Sequence, residues 1–129
     1  MTRFYIASSR DGLDDVLSVS AVLERAGMQN AFPWPKHFDH KCSGHTCGIA
    51  DRDDLAFNEL VAASTCDLFI GIARLGKGSH VELGAALMHG HARIILVGVN
   101  GADSVFYDMR RVERAVDIAE LFSLIGVGR

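Results

Sequence analysis

Proline is scarce in this chain: two in 129 residues, at positions 33 and 35, on either side of the single tryptophan. No low-complexity tract accompanies them, which excludes a disordered polymer. Long apolar runs are missing as well. The longest, residues 94–99, falls far short of the roughly 20 residues a membrane-spanning helix needs. A basic field is lacking: 13 Lys and Arg against 16 Asp and Glu leave a formal charge of −3. Nucleic-acid binding normally needs a broad positive surface. The one basic cluster, Arg110, Arg111 and Arg114, reads as solvated surface. Cysteine is sparse and odd in number (Cys42, Cys47, Cys66), so no disulfide framework is suggested. Residues 1–7 enter a strand-like run with no basic segment leading into a long apolar one, so no secretory signal is expected. These absences predict a reduced, cytoplasmic compartment, with no membrane and no nucleic acid as partner.

What is present suits one globular domain spanning residues 1–129. The 49% of hydrophobic residues supply a core. A chain of this size buries roughly two-thirds of its unfolded surface, so it needs neither disulfides nor metal to fold. Strand-like and helix-like segments alternate. Phe4-Tyr5-Ile6-Ala7 is a short apolar run ending at the polar turn Ser8-Ser9-Arg10-Asp11-Gly12. Leu13, Val16, Leu17 and Leu23 repeat at helical spacing over residues 13–26, and Gly27 is a natural stop. Residues 30–34 suggest a second strand, cut off by the prolines. Residues 36–52 have no clear period and read as a long loop. Asp53 or Asp54 is placed to cap a helix to Thr65. Residues 67–72 read as a buried strand, 73–79 as a glycine-rich loop, and 80–89 as a helix. Residues 93–98 and 112–116 complete the strands, and Asp117 is placed to cap a last helix through Leu124. Continuous apolar strands between helices predict an α/β fold: a Rossmann-like, doubly wound parallel sheet of about five strands flanked by helices. Ligands of such sheets bind beyond the carboxyl ends of the strands. That places Ser8 to Gly12 and the 73–79 loop on one rim.

The segment Leu75-Gly76-Lys77-Gly78-Ser79-His80-Val81-Glu82-Leu83-Gly84 is the strongest local feature. Its glycines admit a ligand close to the backbone, and a helix start offers free N–H groups to an anion. It is neither a Walker loop nor a dinucleotide fingerprint, because the spacing differs from both. Two readings of Glu82 stand side by side. Ser79-His80-Val81-Glu82 matches a capping box. Equally, a carboxylate in the first helical turn is held ionised by the helix dipole, as a nucleophile requires. Glu59 shares a helical stripe with Leu55, Ala62, Ala63 and Cys66. A carboxyl facing them is partly desolvated, which raises its pKa and suits a general acid; the other reading is a helix-edge Glu reaching solvent. Two carboxyls with opposite tuning are what a retaining glycosyl transfer needs. His37, His40, Cys42, His45 and Cys47 invite a metal, but structural zinc prefers tighter cysteine pairs. A polar lid over the substrate is the better reading, and no metal or cofactor is expected. His89 and His91, at a helix end, are explained by the dipole.

Phe4-Tyr5-Ile6-Ala7-Ser8-Ser9, the spacing from Glu59 to Asp67-Leu68-Phe69-Ile70, and Gly76-Lys77-Gly78-Ser79-His80-Val81-Glu82-Leu83-Gly84-Ala85-Ala86-Leu87 together resemble the nucleoside 2-deoxyribosyltransferase family. The likeness is greatest to its small bacterial members and covers nearly the whole chain. The resemblance implies cleavage or transfer at the N-glycosidic bond of a nucleoside or nucleoside 5′-monophosphate. Glu82 falls on the nucleophile that forms a glycosyl-enzyme intermediate, and Glu59 on the acid that meets the leaving base. Ser8, Ser9 and Arg10 fall on a pocket-lining loop. Gly78 and Ser79, with His80 beside them, fall on the loop that holds sugar or phosphate. Gly76 stands where relatives carry an acidic residue or a Ser. Without gaps, the family's nucleophile-orienting Tyr aligns with Phe4, and strand alternation sends Tyr5 to the opposite face. Trp34 is placed either to stack on a nucleobase or to plug the core. The resemblance also implies a homodimer or higher homo-oligomer in which a second subunit completes the pocket. Two alternatives remain: a non-catalytic nucleotide-binding or signalling module, and an NAD-type N-glycoside hydrolase.

Overall fold

The computed structural model describes residues 1–37 and 49–128. In chain order it contains β1 (Arg3–Ala7), α1 (Leu13–Arg25), β2 (Gln29–Asn30), α2 (Ile49–Thr65), β3 (Leu68–Ile72), α3 (Lys77–His89), β4 (Arg93–Val97), β5 (Val112–Ala115) and α4 (Ile118–Ile125). The strands form one sheet in the order β2-β1-β3-β4-β5, parallel throughout. This is the α/β, Rossmann-like arrangement expected. All five residues of β3 are buried, as are the last four of β4. Both sheet faces are covered, so the strands carry continuous apolar runs instead of alternating ones. Among the described residues no helix is long and apolar enough to cross a membrane.

The chain leaves β1 in one direction to form β2, then returns past it to β3, β4 and β5. Right-handed crossovers put α1 on one face and α2 with α3 on the other. The switch lies between β1 and β3, and there the loops after these strands are tied together. The Ser8 hydroxyl donates to the Ile72 carbonyl at 2.9 Å. The Ser9 N–H donates to the Arg74 carbonyl at 3.0 Å. Gly12 is needed for this closure, since a Cβ there would collide with the Ser8 hydroxyl.

Four elements differ from the sequence expectation. The second strand keeps only Gln29–Asn30, because the Asn30 side chain accepts from the Phe32 N–H at 3.1 Å. That turn, with two prolines unable to donate to a ladder, ends the strand. Trp34 sits instead in a short 3-10 turn, Trp34–His37. Helix α2 begins at Ile49, so Asp53 and Asp54 lie inside it. Residues 49–52 contain no glycine or proline to stop it. Helix α3 begins at Lys77 with Gly76 as its N-cap, three residues before His80. At the carboxyl end, α4 starts where expected: the Asp117 side chain accepts from the Glu120 N–H at 2.8 Å. It runs one residue past Leu124, and Gly126 closes it in the left-handed conformation.

Candidate active site

A cavity of about 200 Å³ opens at the switch point, lined by Tyr5, Ser8, Ser9, Arg10, Trp34, Glu59, Gly76, Gly78, Ser79 and Glu82. Each wall comes from one element. The loop after β1 supplies Ser8 and Ser9. Glu59 looks in from the half-buried edge of α2, beside the buried Ala62, Ala63 and Cys66. Helix α3 contributes its first turn and, one turn on, Glu82. Trp34 closes one side; its indole N–H donates to the Ile6 carbonyl at 2.6 Å. The ring is therefore anchored to β1 and only 6% exposed.

The early start of α3 changes the meaning of Glu82. The capping box expected between Ser79 and Glu82 does not form. Ser79 is the third helical residue, and its hydroxyl accepts from the Gly76 N–H at 3.2 Å. Glu82 is left in the second turn, 8% exposed, pointing into the cavity. There the dipole has largely faded. Burial dominates instead, and with the Glu59 charge as second cause it pushes the Glu82 carboxyl up to about 8. The ionised resting state expected from a first-turn position is thus replaced by a held proton.

Glu59 is also raised, by desolvation, while its hydrogen bond with Glu82 pulls the other way. The two carboxyls interact directly and compete for one proton, so their titration belongs to the pair. Tyr5 lies beneath them, fully buried. Desolvation first, then the nearby Glu82 and Glu59 charges, hold its phenol well above the ordinary tyrosine range. It stays a neutral donor. Its hydroxyl finds no well-formed hydrogen bond among the described residues, and neither does the buried Ser9 hydroxyl.

Eight of the nine residues singled out from the sequence meet at this cavity: Ser8, Ser9, Arg10, Trp34, Glu59, Gly78, Ser79 and Glu82. His80 does not line it. Its side chain turns outward, against Tyr107, along an apolar groove with Leu83, Leu87, Phe106 and Met109. The expectation for β1 is corrected too. Tyr5, not Phe4, faces the carboxyl pair. Phe4 and Tyr5 are equally buried, because helices cover both faces; Tyr5 is the one of the two that lines the cavity. Gly76, singled out as a departure, forms part of the wall. His40, Cys42, His45 and Cys47 lie outside the described residues. Among the described residues no group of three His, Cys, Asp or Glu is arranged to hold a metal.

No protein-family model matches the chain, and no curated protein matches it in sequence. In fold it is similar to a solved structure, the CMP N-glycosidase BcmB of Clostridium botulinum. The TM-score is 0.58 at 16% identity, over 97% of this chain and 98% of that one. The likeness extends end to end and, at that identity, speaks for the fold.

Proposed function

We propose that this protein cleaves the N-glycosidic bond of a nucleoside or nucleoside 5′-monophosphate by double displacement. The observation that carries the proposal is the buried Glu82–Glu59 pair, sharing one cavity with the neutral Tyr5 hydroxyl at the switch point. The productive form has Glu82 ionised and Glu59 protonated. Tyr5 then donates to the Glu82 carboxylate. Glu82 attacks C1′, the bond from C1′ to the base nitrogen breaks, and the Glu59 proton goes to the departing base. A glycosyl ester on Glu82 remains. Glu59, now ionised, takes a proton from the acceptor as the acceptor attacks C1′ and releases Glu82. Water as acceptor makes a hydrolase; a second base makes a transferase.

The two carboxyls approach closely enough for a side-chain hydrogen bond to shift each other's proton affinity, well inside the separation of about 6.5–9.5 Å that inverting enzymes leave for a water. That supports the retaining route. The fold neighbour, itself a CMP N-glycosidase, supports this class of bond. Ser8, Ser9, Arg10, Gly78 and Ser79 are assigned to the sugar and any phosphate, and Trp34 to the base. The cavity, at about 200 Å³, is smaller than the roughly 300–1,000 Å³ of small-molecule pockets. The described residues therefore act as floor and walls, and a second copy of the chain is assigned to the roof. The non-catalytic reading relied on Glu82 as a helix cap, a task that Ser79 performs.

The test is chromatographic. A panel of nucleosides, 5′-monophosphates and NAD is incubated with wild type and Glu82→Ala, and free base is quantified. Wild type is expected to release base, and Glu82→Ala to fall by at least on the order of 10³-fold. Equal, slow release by both ends the catalytic claim; nicotinamide as the main product selects the NAD-type alternative.

A further inference from the structure

His80 sits one turn above Gly76 on α3, outside the cavity. Its Nδ1 lies 2.7 Å from the Gly76 carbonyl oxygen, and its Nε2 lies 2.7 Å from the Tyr107 hydroxyl. The two rings stack, with centroids 5.9 Å apart and planes 17° from parallel. A carbonyl oxygen only accepts, so Nδ1 must carry the proton. In the neutral ring Nε2 is then the acceptor, and the Tyr107 O–H donates to it. This direction is dictated by Gly76.

Gly76 needs such a hold. A glycine has no side chain to restrict its backbone, yet this one forms cavity wall next to Ser9, whose Cβ would lie 3.6 Å from a Cβ at position 76. Both of its polar groups are taken. The N–H donates to the Ser79 hydroxyl. The carbonyl accepts from the His80 backbone N–H at 3.2 Å as well as from the ring. That carbonyl belongs to the peptide plane that leads into α3, whose first N–H groups have no partner within the helix. Turning the plane turns those donors.

We infer that His80 is a positioning residue: backed by Tyr107, its ring locks the Gly76 turn and so aims the first N–H groups of α3 at the substrate. The inference rests on the N-glycosidase reading for its kinetic consequence. Its side-chain chemistry stands on the two hydrogen bonds alone. Ground-state binding depends on those N–H groups, whereas bond cleavage depends on Glu82, Glu59 and Tyr5. Loosening the turn should therefore raise KM and leave kcat and its pH profile in place.

Two measurements test this together. The ¹⁵N-correlated imidazole spectrum of the wild type should show His80 as the Nδ1–H tautomer when neutral. Kinetics of base release should separate two substitutions. Asn places an N–H where Nδ1 stood, and Gln places its amide near Nε2. His80→Gln is expected to raise KM about fivefold or more, the worth of one ordinary hydrogen bond. His80→Asn should recover most of that loss. Tyr107→Phe should raise KM in the same direction, less than additively with His80→Gln, because both break one chain. An Nε2–H tautomer, or equal KM for the Asn and Gln variants, overturns the inference while the N-glycosidase reading survives. A wild type that releases no base from any substrate overturns both. A fall in kcat at constant KM, the mark of a reduced folded fraction, overturns the positioning role alone.

Discussion

Glu59 and Glu82 hold their proton against opposite demands. The nucleophile must be ionised and the acid protonated, so only the singly protonated pair is reactive. Both carboxyls are raised by burial, Glu82 to about 8, against an ordinary value of about 4.3. The pH profile of kcat/KM reports the free enzyme. It is expected as a bell lying above the ordinary carboxylate range, with its alkaline limb near 8. Glu59→Gln removes the neighbouring charge and the proton donor together. Glu82 should then ionise at lower pH and the alkaline limb should vanish, while kcat falls about 10²–10⁴-fold for bases that leave poorly. Tyr5→Phe acts the other way. The Tyr5 hydroxyl, by donating to the ionised carboxylate, lowers Glu82, so its loss should move the alkaline limb, which Glu82 sets, to higher pH. A profile unmoved by either substitution would show that the pair does not control the reaction. Glu82 and Glu59 were legible as separate residues, one from its motif and one from its helical stripe. Their coupling was not, because it depends on how far α2 and α3 approach across the cavity, which no local pattern encodes.

At the scale of elements, legibility followed burial. Strands β3 and β4 declare themselves because both faces are covered and every residue but Arg93, at the start of β4, is apolar. The start of α3 is not legible, because Gly76 has no side chain to announce a cap. Ser79 looks like the N-cap residue from sequence and acts from the third helical position instead. The outward turn of His80 follows from that same shift. In α4 the cap is an Asp with a Glu three residues on, and both signals are genuine. The Asp117 side chain accepts from the Glu120 N–H at 2.8 Å. The Glu120 carboxylate accepts from the Val116 N–H at 2.9 Å. Asp117→Ala should therefore cost about 1 kcal/mol, read as a lowered midpoint in denaturant. Base release measured well below that midpoint should be unchanged, since Asp117 does not line the carboxyl cavity. A loss of activity at constant stability would mean that α4 reaches the site in a way its packing does not suggest.

For the whole molecule, a buried acid that must ionise to work sets function against stability. The direction is fixed by the shift. Glu82 is raised in the fold, so the folded state binds its proton more tightly than the unfolded chain does. Its contribution to stability is fully present below about pH 4, the unfolded value. It is lost as pH rises through about 8. The exposed carboxylates behave oppositely. Asp67, lowered by the Arg3 N–H and by His91, and Glu113, lowered by Arg93, stabilise the fold above the ordinary carboxylate range and cease to do so in acid. Wild-type stability against pH therefore mixes both signs and is a poor test by itself. The difference between wild type and Glu82→Gln is a clean one, because Asp67 and Glu113 are common to both and cancel. Gln keeps the shape of a protonated Glu and never ionises. The melting temperatures of the two proteins should nearly coincide at about pH 4. The variant should become progressively the more stable as pH rises from there to about 8, with the gap level beyond, while it releases no base at any pH. A constant gap across that range would mean that Glu82 is not desolvated beside Glu59, and the proposed nucleophile would lose its physical basis.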